Sequence, residues 1–339
     1  MRKLSTVLMA IVLAALVLSC GGGTATQAAA SGGGAFQGAA GETYYMVAFL
    51  SGHPFWVGCR LGAEAAASQL GVTLRYGGDP EYDVNKSVQA FEQIVATGPK
   101  GVLLTCIDPN ALKEPIDNAV NAGVPVITFD TDSPDSKRLS FVSTDNSFLG
   151  GFLYDYMSTN LFPSGNATIG VIGRTNQLNI RQRMDGFAAQ AAARRDSGVT
   201  VLPFVDDQGE ITVATSAMAA QLQAHPEITI IFAADGQGAT GSVQACKEAG
   251  RTDIKIMTVD SDQGILDLIK AGDLYGTVAQ NTFNMGYWAM MQMYAYTHNL
   301  VDPFNNWEAE KISPMPPYIN SGVDIVTKDN TDAFVVPTN

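Results

Sequence analysis

Carboxylates, amides, arginines and a pair of adjacent rings recur along this chain immediately after short apolar runs. The first run is followed by Ser51-Gly52-His53-Pro54-Phe55-Trp56. Later ones are followed by Asp130-Thr131-Asp132, by Thr144-Asp145-Asn146, by Asn179, Arg181 and Arg183, and then by Asp235, Asp260 and Gln280. Carboxylate and amide oxygens accept hydrogen bonds from hydroxyls, a guanidinium donates parallel N–H groups, and aromatic faces pack on the C–H face of a pyranose. The mixture suits a neutral, polyhydroxylated ring. A phosphate would call for a cationic or amide nest, but here acids stand alongside the bases. Taken singly, Asp130, Asp145, Asp235 and Asp260 read more readily as helix N-caps than as ligand groups, and Phe55-Trp56 equally well as core packing with His53 beside it. Their recurrence at one edge favours the ligand reading.

Short β-branched or apolar runs alternate with longer amphipathic stretches from residue 44 onward. The pattern predicts strands at 45–50, 72–76, 101–106, 124–129, 167–172, 199–205, 228–233, 254–259 and 276–279, with a further short strand within 139–144. Helices are predicted at 56–70, 84–96, 111–122, 181–193, 213–224 and 242–249, with Gly71, Gly98, Gly123, Gly250 and Gly272 near stops. Repeated βα units imply an α/β fold with parallel sheets covered on both faces. A break at 133–137 and a fresh βα series from 167 favour two lobes of similar size. Ligands of open α/β sheets sit beyond the carboxyl ends of the strands, so two lobes facing each other would form a cleft.

Composition narrows the classes further. A chain of 339 residues with 46% hydrophobic content can bury two cores. A net charge of -13 and a pI near 4.5 argue against binding nucleic acid, and 16% charged residues with 34 glycines argue against a coiled coil. Met1-Arg2-Lys3 followed by an apolar stretch over 4–18 reads as a secretory signal, 1–19. Ser19-Cys20 resembles the lipobox of bacterial lipoproteins, in which Cys20 becomes the lipidated first residue, and 20–43 reads as a Gly/Ala-rich tether. The protein is therefore expected outside the cytoplasm, at the cell membrane or in the periplasm, attached only through a lipid. Cys59, Cys106 and Cys246 read as packing residues, with a Cys59–Cys106 disulfide left open. The Met-rich stretch 285–298 reads as a core helix with a partner-docking face as its alternative, and His225 and His298 as structural.

One motif points elsewhere. Gly236-Gln237-Gly238-Ala239-Thr240-Gly241 follows a strand and opens a helix, with Asp260 about 20 residues on, as in a dinucleotide fingerprint. It keeps an exported NAD-dependent oxidoreductase as a remote alternative, although Asp235 just before it would face the pyrophosphate. No HExxH, GxSxG or P-loop occurs, nor any zinc or calcium spacing. No enzyme activity, cofactor or metal is expected.

His53-Pro54-Phe55-Trp56, the segment from Val124 to Arg138 with its Asp130-Thr131-Asp132-Ser133-Pro134-Asp135-Ser136 string, and Thr144-Asp145-Asn146 resemble periplasmic sugar-binding proteins of ABC importers. The likeness is to the type I, ribose/galactose cluster. The acidic string and Ser321-Gly322-Val323-Asp324-Ile325-Val326-Thr327 are similar to its thermophile glucose-binding branch. The resemblance implies two Rossmann-like lobes joined by three crossovers near 144–145, 280–281 and 308–311. The lobes would be 44–144 plus 281–309 and 145–280 plus 310–339. It further implies a monomeric receptor that closes on a monosaccharide, glucose or a related aldohexose, and delivers it to an ABC permease. A sensor lobe for a chemoreceptor or histidine kinase is the alternative. Phe55 and Trp56 would stack on the sugar, with Asp130, Arg183, Asp260 and Gln280 bonding hydroxyls and His53, Asn146, Asn179 and Asp235 nearby. Thr131 stands where ribose-type members carry Arg, which counts against ribose. A sugar-responsive repressor would need a helix-turn-helix where the signal and tether stand.

Overall fold

The computed structural model describes residues 37–39, 41–301, 313 and 315–334, all within one compact unit. The signal segment, Cys20 and the larger part of the tether lie outside the described residues. The tether's expected end at 43 is too late. Thr43 already pairs with Thr73, and the Gly38 N–H donates to the Leu70 carbonyl at 2.6 Å, so the lobe claims these residues for its own backbone bonds.

The first sheet is built from β1 (Thr43–Val47), β2 (Thr73–Gly77), β3 (Gly101–Leu104), β4 (Val126–Phe129) and β5 (Phe141–Ser143). Their spatial order is β5-β4-β3-β1-β2, all parallel. The second comprises β6 (Ala167–Gly173), β7 (Val199–Val201), β8 (Val205–Asp206), β9 (Ile230–Ala233), β10 (Lys255–Val259) and β11 (Gly276–Gln280). The expected strand over 199–205 is thus broken into β7 and β8, both paired to β6. The order β11-β10-β9-β6-β7 repeats that of the first sheet. Both are doubly wound, with the order reversing beside β1 and beside β6, where loops after strands diverge and leave a crevice.

Helices α1 (Phe55–Leu70), α2 (Val84–Val95) and α3 (Pro109–Asn121) belong to the first lobe, and α4 (Asn146–Asn160), α5 (Leu178–Arg194), α6 (Ile211–Ala224), α7 (Gly236–Glu248) and α8 (Gln263–Ala271) to the second. α9 (Thr282–Thr297) follows β11 of the second sheet but packs on α1, burying Met285, Met290 and Met293 in the first core. The Met-rich stretch is a core helix, as expected, although Trp288 on it is exposed. α4 makes the reciprocal move: it follows β5 of the first sheet and packs on α5. α4 was not anticipated from the sequence, and α8 only through Gly272 as its stop.

Two strands were also not anticipated, β12 (Tyr318–Asn320) and β13 (Val323–Thr327). β12 pairs with β5 in the first sheet and β13 antiparallel with β11 in the second. The assignment of everything from 310 onward to the second lobe is therefore corrected for Tyr318–Asn320. The edge of β5 would otherwise leave backbone groups unpaired, and β12 covers it. The chain passes between the sheets at Ser321-Gly322, whereas 308–311 lie outside the described residues.

Both reciprocal helix pairs meet backbone to backbone. A Cβ added at Gly62 or Gly286 would overlap the opposite main chain of α9 or α1, and one at Gly150 or Gly186 would do the same between α5 and α4. Replacing Gly286 by Ala is expected to destabilise the protein by about 1–3 kcal/mol through overpacking. Gly52, with open space around its Cβ position, serves as the control. Urea unfolding giving equal midpoints for G286A and G52A would refute this packing account.

Candidate functional site

A cleft of ≈ 1820 Å³ opens between the carboxyl ends of the two sheets. All ten residues singled out for ligand binding line it: His53, Phe55, Trp56 and Asp130 from the first lobe, and Asn146, Asn179, Arg183, Asp235, Asp260 and Gln280 from the second. Apart from the crossovers, no hydrogen bond among the described residues joins one lobe to the other. The cleft is open.

Asp130 and Asp260 occupy equivalent places, one residue beyond β4 and β10. Both have left-handed backbones, φ 60° and 86°, a region that Asp and Asn enter more readily than other side-chain-bearing residues. Each N–H donates to the next strand, to the Val142 carbonyl at 3.1 Å and the Val278 carbonyl at 3.2 Å. Each carbonyl accepts a hydroxyl, from Ser143 Oγ at 2.8 Å and Thr277 Oγ1 at 2.6 Å. Neither caps a helix; the caps are Asp108 for α3 and Asp262 for α8. The twisted backbone ends the strand and turns the carboxylate into the cleft, so the N-cap reading fails for this pair. For Asp235 and Asp145 it holds, since they cap α7 and α4 through the Gly238 N–H at 2.7 Å and the Phe148 N–H at 2.9 Å. Both also line the cleft.

Arg183 is the buried cation of the site, 3% exposed. Its Nε donates to Asn146 Oδ1 at 2.9 Å and its Nη1 to the Ala234 carbonyl at 3.0 Å, while Asn146 Nδ2 donates to the Thr144 carbonyl at 3.3 Å. These bonds fix the guanidinium plane before any ligand arrives. Gln280 Nε2 donates to Asp260 Oδ1 at 3.2 Å, holding that carboxylate from the adjacent strand. Asn179 accepts from the Ile180 N–H at 3.0 Å. Arg181, by contrast, turns outward to Asp185 at 2.9 Å and stacks over Phe204.

The aromatic wall is layered. Trp56 is only 4% exposed and meets Phe49, Phe55 and Phe129 edge to face, with centroids 5.4, 5.0 and 6.0 Å away. It forms the floor, and Phe55, His53 and Tyr82 lie more open above it. Phe49 and Tyr82 were not singled out from the sequence. Nor was the ion pair of Asp132 with Arg138, whose Nε and Nη2 reach the carboxylate at 2.5 and 2.6 Å. Arg138 Nη1 also donates to the Pro317 carbonyl at 3.1 Å, tying the loop after Asp130 to the segment entering β12. No sequence spacing signals that contact across 179 residues.

The glycine motif serves packing. A Cβ at Gly241 would strike Ala214 and Thr215 of α6, and one at Gly238 would press on the carboxyls of Asp207 and Asp235. Cys59, Cys106 and Cys246 are buried and unpaired, which closes the open disulfide question against a Cys59–Cys106 bridge. His225 pairs with Glu227, and His298 stacks on Tyr294 and pairs with Glu42. Among the described residues no three metal-ligating side chains cluster, and no helix is long and apolar enough to cross a membrane.

A family model described as a periplasmic binding protein domain matches residues 44–299. The ribose import binding protein RbsB of Salmonella typhimurium is 26% identical over 280 residues, covering 83% of this chain and 87% of the relative. The structure of AraP, an arabinose-binding protein from Geobacillus stearothermophilus, superposes with a TM-score of 0.82 at 33% identity, covering 87% of this chain and 99% of that one. A sugar-binding protein of a sugar ABC transporter from Bacillus halodurans gives 0.82 at 34% identity, over 87% and 100%.

Burial pushes the Asp130 acid up to about 7; Arg183 opposes the shift and Asp260 adds to it. A carboxyl raised in the folded state contributes stability that is fully present below its unfolded value, about 3.9, and is lost as pH climbs through the folded value. Asp130→Asn keeps a side chain that tolerates the left-handed backbone but cannot ionise. Calorimetry of the ligand-free protein should show D130N gaining in melting temperature on the wild type between pH 5 and pH 8. A difference that does not change with pH would rule this out.

Proposed function

We propose, because the chain belongs to the periplasmic binding protein domain family, that it captures a neutral monosaccharide between its lobes and delivers it to an ABC importer. It acts as a binding protein and not as an enzyme. One observation carries the reading. Asp130 and Asp260, held in equivalent left-handed turns on opposite lobes, line one cleft with the pre-oriented Arg183 and an aromatic floor. Two acceptors and a planar donor match ring hydroxyls, and the rings match the apolar sugar face.

The open form would expose half of the site on each lobe. A sugar bonded to both sides favours closure by its differential affinity for the closed state, and that shape is what a permease would recognise. In this reading Cys20 carries the lipid, the tether holds the lobes just outside the membrane, and the chain works as a monomer. Glucose or a related aldohexose is the preferred ligand, resting on the acidic string from Asp130 to Ser136 and on Thr131 where ribose-type proteins carry Arg. An arabinose-type pentose is the second reading, favoured by the 33% identity with AraP.

A thermal-shift panel of glucose, galactose, allose, xylose, arabinose and ribose tests both. The cognate sugar at 100 times its dissociation constant should add about 2.7 kcal/mol of stability. Asp260→Ala or Trp56→Ala should weaken its binding by at least about 2 kcal/mol through loss of a charged acceptor or of the aromatic floor. A panel with no shift from any aldose, or full affinity in both variants, would overturn the assignment.

A further inference from the structure

Asp207 is the one fully buried carboxylate among the described residues, and it does not line the cleft. It stands just after β8. Its Oδ1 accepts the Gly209 N–H at 2.7 Å, but no N–H or O–H reaches Oδ2. Its neighbour Asp235, 3% exposed, does line the cleft. Asp235 Oδ1 accepts the Gly238 N–H at 2.7 Å and Oδ2 accepts the Arg174 N–H at 3.3 Å. Asp207 Oδ2 and Asp235 Oδ1 lie side by side over Gly238, where a Cβ would come within 2.9 and 3.1 Å of them.

No cationic side chain hydrogen-bonds either carboxyl. The Arg174 guanidinium lies against Gly209 and donates to Gln177 Oε1 through Nη1, its Nε being buried without a partner, and Arg183 is committed to Asn146 and the Ala234 carbonyl. Asp206 accepts from the Thr175 N–H, Asp262 caps α8 beside Gly236, Glu210 precedes α6, and Asp260 is bonded by Gln280. Two adjacent buried carboxyls with no cation bonded to either cannot both ionise cheaply, and Asp207 Oδ2, which accepts no hydrogen bond, calls for a hydrogen.

We propose that Asp207 is the positioning residue for Asp235: the two carboxyls share one proton above Gly238, and that proton holds Asp235 turned toward the ligand. The proposal rests on the reading of the cleft as a sugar site. It also accounts for the central glycine of the Gly236–Gly241 motif, since any side chain there would crowd the shared proton. Burial first, and the Asp207 charge second, push the Asp235 acid up to about 7. Closing the cleft strips water from the pair and raises its hold on the proton further. Binding therefore takes up a proton as pH passes above 7, and affinity declines with alkalinity.

The test compares wild type with Asp207→Asn, whose amide supplies a permanent donor to Asp235. Sugar affinity by calorimetry is read between pH 7 and pH 9; Asp130, also pushed up to about 7, is present in both proteins, so the difference between them reports the Asp207–Asp235 pair. Wild type should lose at least about fivefold, with a limiting slope of tenfold per pH unit, and D207N less than about twofold. A flat wild-type profile, or an equal loss in D207N, would overturn the proposal. Melting of the ligand-free protein gives a second readout independent of any sugar. The raised acid costs stability progressively as pH rises from about 4 to about 7, so D207N should gain on wild type across pH 5 to 8. Parallel melting profiles would overturn the proton pair, whereas absence of sugar binding alone would overturn only the reading of the cleft.

Discussion

The cleft must accommodate more negative than positive charge, and the rest of the site answers to that constraint. Asp130, Asp235 and Asp260 face a space in which Arg183 is the deeply buried cation. Burial pushes the Asp130 acid up, Arg183 of the other lobe opposes the shift and Asp260 adds to it, so the two strand-end acids, one from each lobe, already share that cation. Unsatisfied buried carboxylates are costly, and a cleft of this charge calls for hydrogen-bond donors. Under the proposed function, a ligand rich in hydroxyls supplies them from both sides at once.

The fold supplies that geometry by using one plan twice. The β5-β4-β3-β1-β2 order recurs as β11-β10-β9-β6-β7, and Asp130 and Asp260 fall at equivalent strand ends with equivalent backbone bonds. Each lobe also lends a helix to the other: α4 leaves the first sheet to pack on α5, and α9 leaves the second to pack on α1. Glycine contacts at Gly150, Gly186, Gly62 and Gly286 draw those helices to backbone distance. The crossovers are therefore anchored in rigid, tightly packed pairs on both sides.

Much of this was legible in the sequence because buried parallel strands are written in β-branched runs such as Val126-Ile127-Thr128-Phe129. Strand-end placement then located the ten cleft residues, since open sheets put ligands there. The misses have physical causes. α4 carries Gly150-Gly151 and apolar residues without a clear period, because one face packs on α5 through bare backbone. β12 is a three-residue edge strand whose partner, β5, lies 175 or more residues earlier, so no local pattern assigns it to the first lobe. Asp207 sits in a polar turn, Asp206-Asp207-Gln208-Gly209, that reads as surface loop, and only the fold folds it inward. The left-handed turns at Asp130 and Asp260 are likewise invisible in composition, yet they separate these residues from ordinary caps.

The glycine motif shows how the same local structure can exclude the ligand that its sequence suggests. A dinucleotide fingerprint works because the free N–H groups of a helix N-terminus and its positive dipole end receive a pyrophosphate. In α7 the Asp235 carboxylate already accepts the Gly238 N–H, so the acceptor that a phosphate would provide is built into the chain. A second acid, Asp207, stands directly behind it. An incoming polyanion would lose the amide, meet two carboxyls, and find Gly238 and Gly241 spent on contacts within the lobe. A neutral hydroxyl meets none of these penalties and gains an acceptor. The motif is thus one of packing, and the acids beside it make its helix end unfavourable to a phosphate.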